Sequence, residues 1–251
     1  MPAALAGVHR ETFVVRTYEM DARWRATLVT LCSYFQEVAY EHAAILGVSQ
    51  DSFVEQGIAW MLGALSVRVA RYPEVREHVV METWPDGSNK LYAFRNFRAV
   101  SQEGEVLARG ASAWVVLDIV KRALTRMPQA VRDIHPPQAE GVGIDPFPPR
   151  LNSLDSWQRE VLFPVRHADL DPNSHVNNTQ YIQWAIEAAP DELASQQPAG
   201  IDISFRAECR HPDTVASRSS SGDVGEHLSV VHSLVRSDGK ETARARTLWT
   251  V

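Results

Sequence analysis

Asp171-Pro172-Asn173-Ser174-His175-Val176-Asn177-Asn178 places a carboxylate, a carboxamide and an imidazole within five residues, with Tyr181 one helical turn further on. A helical pattern begins at its end, so backbone N–H groups of a helix N-terminus should point toward whatever those side chains hold. The segment has a degraded echo 150 residues earlier. Glu19-Met20-Asp21 stands against Asp169-Leu170-Asp171, and at the same offset Glu37 stands against Glu187. Asn173 and His175 are matched by Arg23 and Arg25. A second echo sets Ala70-Arg71-Tyr72-Pro73 against Cys209-Arg210-His211-Pro212, with Val69 matching Glu208. The chain therefore reads as two copies of one unit, with the polar residues concentrated in the second.

The order of elements supports this reading. A short strand, Phe13–Tyr18 or Val161–Arg166, leads through a loop into a helix. The first helix is expected over Leu28–Leu46, stopped by Gly47, and the second over Asn177–Ala189, stopped by Pro190. Strand patterns follow each helix: Ile58–Tyr72, Val79–Trp84, Leu91–Val100 and Val106–Leu117 in the first copy, then Ile201–Arg206, Leu228–Val235 and Ala243–Val251 in the second. One strand, one long helix and an antiparallel meander make an α+β layer, a helix wrapped by a curved sheet. Pro128, Pro136, Pro137, Pro146, Pro148 and Pro149 interrupt any regular element between the copies. The expected division is 1–135 for the first domain, 136–155 for a Pro-rich linker and 156–251 for the second domain.

Bulk composition narrows the class. Of 251 residues, 45% are hydrophobic and 22% charged, as in ordinary globular proteins, and no apolar run approaches a membrane span. The net charge of −6 gives no indication of nucleic-acid or anionic-membrane binding. The first eight residues lack the basic start of a signal peptide. Two cysteines, Cys32 and Cys209, give neither a disulfide framework nor metal-ligand spacing, which fits a reducing cytoplasm with no metal or cofactor. Charge is uneven: residues 68–132 hold eleven Lys or Arg against seven Asp or Glu. Such a region on an acidic protein suggests an acidic partner.

The run from Arg166 through Asp171, Asn173, His175, Asn177 and Asn178 to Trp184 resembles the signature of acyl-acyl carrier protein thioesterases, the fatty-acid-releasing enzymes of plant plastids and their bacterial relatives. Ile203-Ser-Phe-Arg-Ala-Glu-Cys-Arg210 is similar to the second signature of that family. Leu31–Gln36, Val69–Pro73 and Ala113–Val116 in the first copy resemble it as well. The resemblance runs from Phe13 to the end of the chain. It implies a tandem double hotdog fold, a catalytic second domain with Asp171, Asn173, His175 and Glu208 as catalytic residues, and acylated acyl carrier protein as partner. Cys209 occupies a position proposed in the family as a nucleophile. Two departures stand out: no plastid transit peptide is recognisable, and the second domain is compact. A homodimer is compatible with this reading.

Thioester hydrolysis requires a polarised carbonyl, an activated water or nucleophile, and a thiolate that leaves with little help because thiol pKa is about 8.5. Backbone N–H groups of Val176, Asn177 and Asn178 at the helix start are candidate oxyanion donors. Asn173 could orient water or carbonyl, and Asp171 and Glu208 are candidates for base or nucleophile with His175 as their partner. Cys209 beside Glu208 is a poor candidate thiolate. Phe35, Trp60, Met61, Ala64 and Trp114 are candidate walls of an acyl pocket in the first domain. Arg95, Arg98, Lys121, Arg122 and Arg126 are the candidate carrier-protein patch. Two alternatives share these residues: an acyl-CoA thioesterase, and a non-catalytic acyl-binding hotdog protein, for which four intact polar residues would serve no purpose. No phosphate loop, metal cluster or Gly-x-Ser-x-Gly elbow is visible.

Overall fold

A computed structural model describes residues 7–224 and 227–250. The chain divides into two compact units, residues 1–148 and 149–251. In the first, β1 (His9–Val14) leads to α1 (Leu28–Ile45) and a short α2 (Gln50–Val54). Then come β2 (Ile58–Val69), β3 (His78–Ser88), β4 (Ala93–Ser101), β5 (Val106–Asp118), β6 (Ala123–Thr125) and a short α3 (Gln129–Arg132). In the second, β7 (Arg159–Pro164) leads to α4 (Asn178–Glu187), then β8 (Gly200–Phe205), β9 (Thr214–Val224), β10 (His227–Arg236) and β11 (Glu241–Thr250).

The two sheets have one topology. The first runs β1-β3-β4-β5-β2, with β6 pairing β5 outside that path, and the second runs β7-β9-β10-β11-β8. Every pair is antiparallel. β9 was not anticipated. Its sequence, Thr-Val-Ala-Ser-Arg-Ser-Ser-Ser-Gly-Asp-Val, has almost no apolar alternation. It is a strand because Ser217 and Ser219 turn inward and are buried, with the Ser219 hydroxyl donating to the Ala188 carbonyl at the end of α4 (2.6 Å).

α1 lies on the first sheet through Leu28, Leu31, Cys32, Phe35, Val38, Ala39 and His42, a stripe at helical spacing. Thr27 caps it by accepting from the Thr30 N–H. Gly47, at φ 72°, ends it one residue past the C-cap. Phe35 packs against Phe97, with ring centroids 4.9 Å apart. Gly110 makes that possible, since a Cβ there would lie 3.1 Å from the Phe35 ring. α4 is shorter and buries Tyr181, Ile182, Trp184 and Ala185. Its cap is Asn177, which accepts from the Thr179 N–H (3.0 Å).

Part of the Pro-rich segment packs on the first unit. Val142 is buried with Trp84 and Ala111, flanked by Ala139 and Ile144, and Phe147 lies 4.7 Å from the Phe94 ring.

Candidate active site

The loop between β7 and α4 is built by its own polar groups. Residues His167–Asp169 form one 3-10 turn, closed by the Arg166 N–H donating to Asp169 Oδ2 (2.7 Å) and by Arg166 Nη2 to Oδ1 (2.7 Å). Burial pushes the Asp169 carboxyl up, but the Arg166 bonds outweigh it and hold it below its ordinary value. A tight reversal follows. Asp171 and His175 are joined through Asp171 N–H to His175 O (2.7 Å), and Ser174 takes φ 60°, unusual for a residue with a side chain. The Asp171 carboxylate stabilises the reversal from inside, Oδ1 accepting from the N–H groups of Asn173 (2.8 Å) and His175 (3.1 Å). Asn173 is exposed at the tip.

Glu208 arrives from the end of β8. The backbone around it is held on three sides. Arg236 Nη1 donates to the Glu208 carbonyl (2.7 Å), the Cys209 N–H donates to the Tyr181 hydroxyl (3.0 Å), and the Val176 N–H donates to the Cys209 carbonyl (2.9 Å). The last bond ties the Glu208 segment to the residue after His175. As a result His175 Nε2 lies 3.2 Å from Glu208 Oε2, with the two side chains 26% and 32% exposed, open enough for substrate to reach. Arg210 completes the group: its Nη2 is 2.5 Å from His175 Nε2 and 3.4 Å from Glu208 Oε2. Arg210 and Arg236 were not anticipated. The signal for Arg210 was its i+2 spacing from Glu208, which puts both on one face of an extended segment. No sequence signal marked Arg236, which comes from β10.

Two expectations for the site change, the oxyanion donors and the register of the second echo, whereas Cys209 remains a poor candidate. The Val176 and Asn177 N–H groups are already spent on the carbonyls of Cys209 and Asp169 (2.9 Å each), so they fix the loop and do not face substrate. Among the described residues only the Asn178 N–H of the three has no protein acceptor. Cys209 is fully buried and burial pushes its thiol up, which leaves it a poor nucleophile. Finally, the second echo shifts by three residues. Ala70 and Arg71 both donate to Leu107 O, as Arg206 and Ala207 both donate to Thr242 O. The Glu74 N–H donates to the Glu77 carboxylate (2.9 Å) as the Arg210 N–H does to Asp213 (2.8 Å). The structural offset is thus 136, and buried Tyr72, not Val69, stands where Glu208 stands.

The candidate pocket residues divide between two faces of the first sheet. Register pairs Trp60 with Val116 and Leu62 with Trp114, whereas Met61 pairs with Val115 and Ala64 with Ala113. Trp60 and Trp114 meet edge-on at 6.4 Å on the α1 face, which Phe35 also covers. Met61 and Ala64 belong to the other face, where Ala64 packs with Phe94, Ala113 and Tyr92. The strand's period of two and the irregularity between Leu62 and Ala64 cause the split.

The candidate patch also divides. Arg95 turns inward: its Nη1 donates to His42 Nδ1 (3.0 Å) and Thr83 Oγ1 (3.2 Å), and burial lowers its guanidinium to about 10. It is only partly exposed, and its guanidinium is turned to the interior. Arg98 is bound to Glu82 (2.7 Å). Lys121, Arg122 and Arg126 are exposed around the β5–β6 hairpin, where Val120 is 88% exposed. Among the described residues no group of three His, Cys, Asp or Glu side chains converges as a metal site.

A helix wrapped by an antiparallel sheet, twice in one chain, with a His–Glu pair in the second copy, is a tandem hotdog of the thioesterase class. The chain belongs to the acyl-ACP thioesterase family. Its residues 6–135 match the acyl-ACP thioesterase N-terminal domain and residues 153–251 the C-terminal domain. A palmitoyl-acyl carrier protein thioesterase of Cuphea hookeriana is 32% identical over 259 residues, covering 96% of this chain and 62% of the relative. An oleoyl-acyl carrier protein thioesterase of Arabidopsis thaliana is 30% identical over 277 residues, covering 96% and 75%. The solved 12:0-ACP thioesterase of Umbellularia californica superposes with a TM-score of 0.84 at 25% identity, covering 98% of each chain. The chain thus spans less than two thirds of the length of several of its relatives.

Proposed function

We propose that this protein hydrolyses fatty acyl thioesters of acyl carrier protein, releasing free fatty acid and the carrier thiol. The observation that carries this reading is the His175–Glu208 pair at 3.2 Å, on a loop whose backbone is duplicated in the first unit without either group. A purely structural loop would need neither. In the reaction, Glu208 with His175 takes a proton from water as its oxygen attacks the thioester carbon. The tetrahedral oxyanion collapses, the C–S bond breaks, and the sulfur leaves as a thiolate that recovers the proton. Glu208 attacking directly, with water then hydrolysing the anhydride, uses the same groups. Single turnover in ¹⁸O-water separates general-base attack from direct attack in which water opens the anhydride at the Glu208 carbonyl, because only the latter puts label into the Glu208 carboxylate.

The division of labour follows the same asymmetry. The first unit, up to the Pro-rich segment, holds the acyl tail against its apolar α1 face around Trp60, Trp114 and Phe35. The second unit cleaves. The carrier contact is the exposed hairpin with Lys121, Arg122 and Arg126. Such basic residues suit an acidic carrier, and their charge reversal should raise KM for carrier-bound substrate several-fold, in a salt-sensitive way, while sparing a small acyl thioester. The two free cysteines suit a cytoplasmic setting. Related proteins are named for palmitoyl, oleoyl and 12:0 chains, so the assay spans that range of lengths. The deciding experiment is a hydrolysis panel of C8–C18 chains on carrier protein and on CoA. Turnover on carrier substrates supports the proposal, preference for CoA moves it to an acyl-CoA thioesterase, and no turnover on either removes it.

A further inference from the structure

Three atoms converge at the candidate site, and their chemistry is over-determined. His175 Nε2 has Arg210 Nη2 at 2.5 Å and Glu208 Oε2 at 3.2 Å, and Arg210 Nη2 is 3.4 Å from the same carboxylate oxygen. A guanidinium has donors only, and an ionised carboxylate has acceptors only. One ring nitrogen cannot accept from the first and donate to the second at once. The shorter contact is the one to Arg210. It requires Nε2 to carry a lone pair and the ring proton to sit on Nδ1. The two hydrogens on Arg210 Nη2 can then serve both neighbours, one pointing to the imidazole and one to the carboxylate. Removal of Arg210 takes away the donor that meets Nε2 at 2.5 Å, so Nε2 can then carry the proton and donate it to Glu208.

The arginine is placed for this purpose. The same residue fixes its own backbone, since the Arg210 N–H donates to Asp213 Oδ2 (2.8 Å) and the Asp213 N–H returns a bond to the Arg210 carbonyl (2.7 Å). At the equivalent place in the first unit that reciprocal pair is kept by Glu74 and Glu77, with an acidic residue where Arg210 stands. The loop closure is common to both copies, and the guanidinium aimed at a histidine belongs to the second alone. Its side chain is 53% exposed, so packing does not account for its position.

We propose that Arg210 is the positioning residue of the His175–Glu208 pair. It selects the Nδ1–H tautomer of His175 and prevents Nε2 and the Glu208 carboxylate, 3.2 Å apart, from sharing a proton until substrate arrives. This rests on the reading of that pair as the reactive centre, and it adds a residue that acts through the histidine. An incoming water or substrate hydrogen-bond donor displaces one Nη2 contact and meets a nitrogen already free of its proton. Substitution of Arg210 by an uncharged residue lets Nε2–H bond to Glu208, so the ring carries the proton on the wrong nitrogen and the carboxylate is occupied.

The test has a readout independent of turnover. In the full chain with ¹⁵N-labelled histidine, at alkaline pH, two-bond ¹H–¹⁵N spectra report which His175 nitrogen is protonated. The wild type should show Nδ1 protonated and Nε2 as the bare, pyridine-like nitrogen. Arg210→Met should exchange the two, and Arg210→Lys, which restores a cationic donor, should move the pattern back. With acyl carrier substrate, Arg210→Met should lower kcat ten-fold or more, the direction known for a wrong histidine tautomer, with KM much less affected, and Arg210→Lys should recover part of it. A wild-type Nε2 that carries the proton overturns the assignment whether or not the protein hydrolyses anything. So does an Arg210→Met protein with the wild-type tautomer or the wild-type kcat. Absence of turnover in the wild type, with the tautomer pattern as expected, removes the hydrolase reading and leaves the role of Arg210 intact.

Discussion

The loops 16–27 and 166–177 are two solutions to one backbone problem. In each, the N–H at the turn start donates to a carboxylate three residues on, Arg16 to Glu19 (2.8 Å) and Arg166 to Asp169 (2.7 Å). In each, an aspartate N–H meets a carbonyl four residues later, Asp21 to Arg25 (2.9 Å) and Asp171 to His175 (2.7 Å). In each, that aspartate's Oδ1 accepts from the N–H two residues on, at 2.8 Å. Trp24 and Ser174 share a positive φ, 63° and 60°. The comparison separates scaffold from chemistry. Asp171 has a counterpart doing the same backbone work, so the duty that the two copies share is structural. His175, Glu208 and Arg210 have none: Arg25, Tyr72 and Glu74 stand in their places. Even the second aspartate oxygen differs, since Asp21 Oδ2 is held by Arg23 (Nε, 2.9 Å) and an exposed asparagine replaces that arginine in the second loop.

The largest expected effect breaks the comparison at its chemical end. His175→Ala and Glu208→Gln should each lower kcat by on the order of 10²–10⁴, as for loss of an acid–base group, with melting temperature nearly unchanged. Arg23→Ala and Arg25→Ala should leave kcat within a few-fold of wild type, and Cys209→Ala should keep most activity. Asp171→Asn should do both kinds of damage, because it weakens the reversal that carries His175. Asp21→Asn should lower stability without touching hydrolysis. Loss of turnover on Arg25→Ala with the fold intact would mean that the first loop also does chemistry.

The next effect concerns the tail. On the α1 face of the first sheet, Trp60→Ala opens space and Ala93→Phe fills it. Ala93 pairs with Trp114 and packs against the cluster of Val48, Phe53 and Val116. Each methylene gained or lost in an apolar wall is worth about 0.8 kcal/mol, so the preferred chain should lengthen with the first and shorten with the second. Ala64→Phe lies on the opposite face and should disturb stability without changing the preference. Competition assays with mixed chain lengths read this directly. A shift from Ala64→Phe alone would place the tail on the wrong face for this proposal.

Much of this was legible in the sequence, for reasons that also explain the failures. The offset of 150 carried the duplication because loop residues with fixed backbone duties, Asp21 and Asp171, recur. The two long helices and nine of the eleven described strands followed from apolar periodicity and turn signals. β9 failed because its inward residues are serines, whose burial depends on a carbonyl at the end of α4 that no local pattern reveals. The three-residue error at Glu208 came from a chance likeness of two Arg-x-Pro runs, where hydrogen bonding obeys a different register. Arg95 was placed outside because charged residues usually are, whereas its guanidinium is met by His42 and Thr83 beneath the helix. The pocket faces were misjudged because one extra residue at Gly63 flips the alternation, and an isolated glycine gives only a weak warning.

The smallest expected effect compares the two units through a feature they share without equivalence. Among the described residues each buries one neutral imidazole, His42 on the first helix and His232 on β10. Burial lowers both to about 3, helped at His42 by the neighbouring Arg95. The unfolded chain titrates them near 6.5. Between those values the unfolded state binds the proton and the native state does not, so each contribution is complete above about pH 6.5 and is lost progressively as pH falls. The slope is at most about 1.4 kcal/mol per pH unit for each histidine. His232→Gln, which can still bond to the Thr247 hydroxyl that His232 Nε2 meets at 2.9 Å, should flatten the acid limb of stability in urea melts between pH 7 and 4. His42→Gln should flatten it separately, and the double variant by the sum, provided the titrations are independent. Where the units unfold as two transitions, each variant should flatten its own. Unchanged slopes in both variants would mean that these rings are protonated in the native fold, and the contrast between a charged catalytic surface and two neutral interiors would be lost.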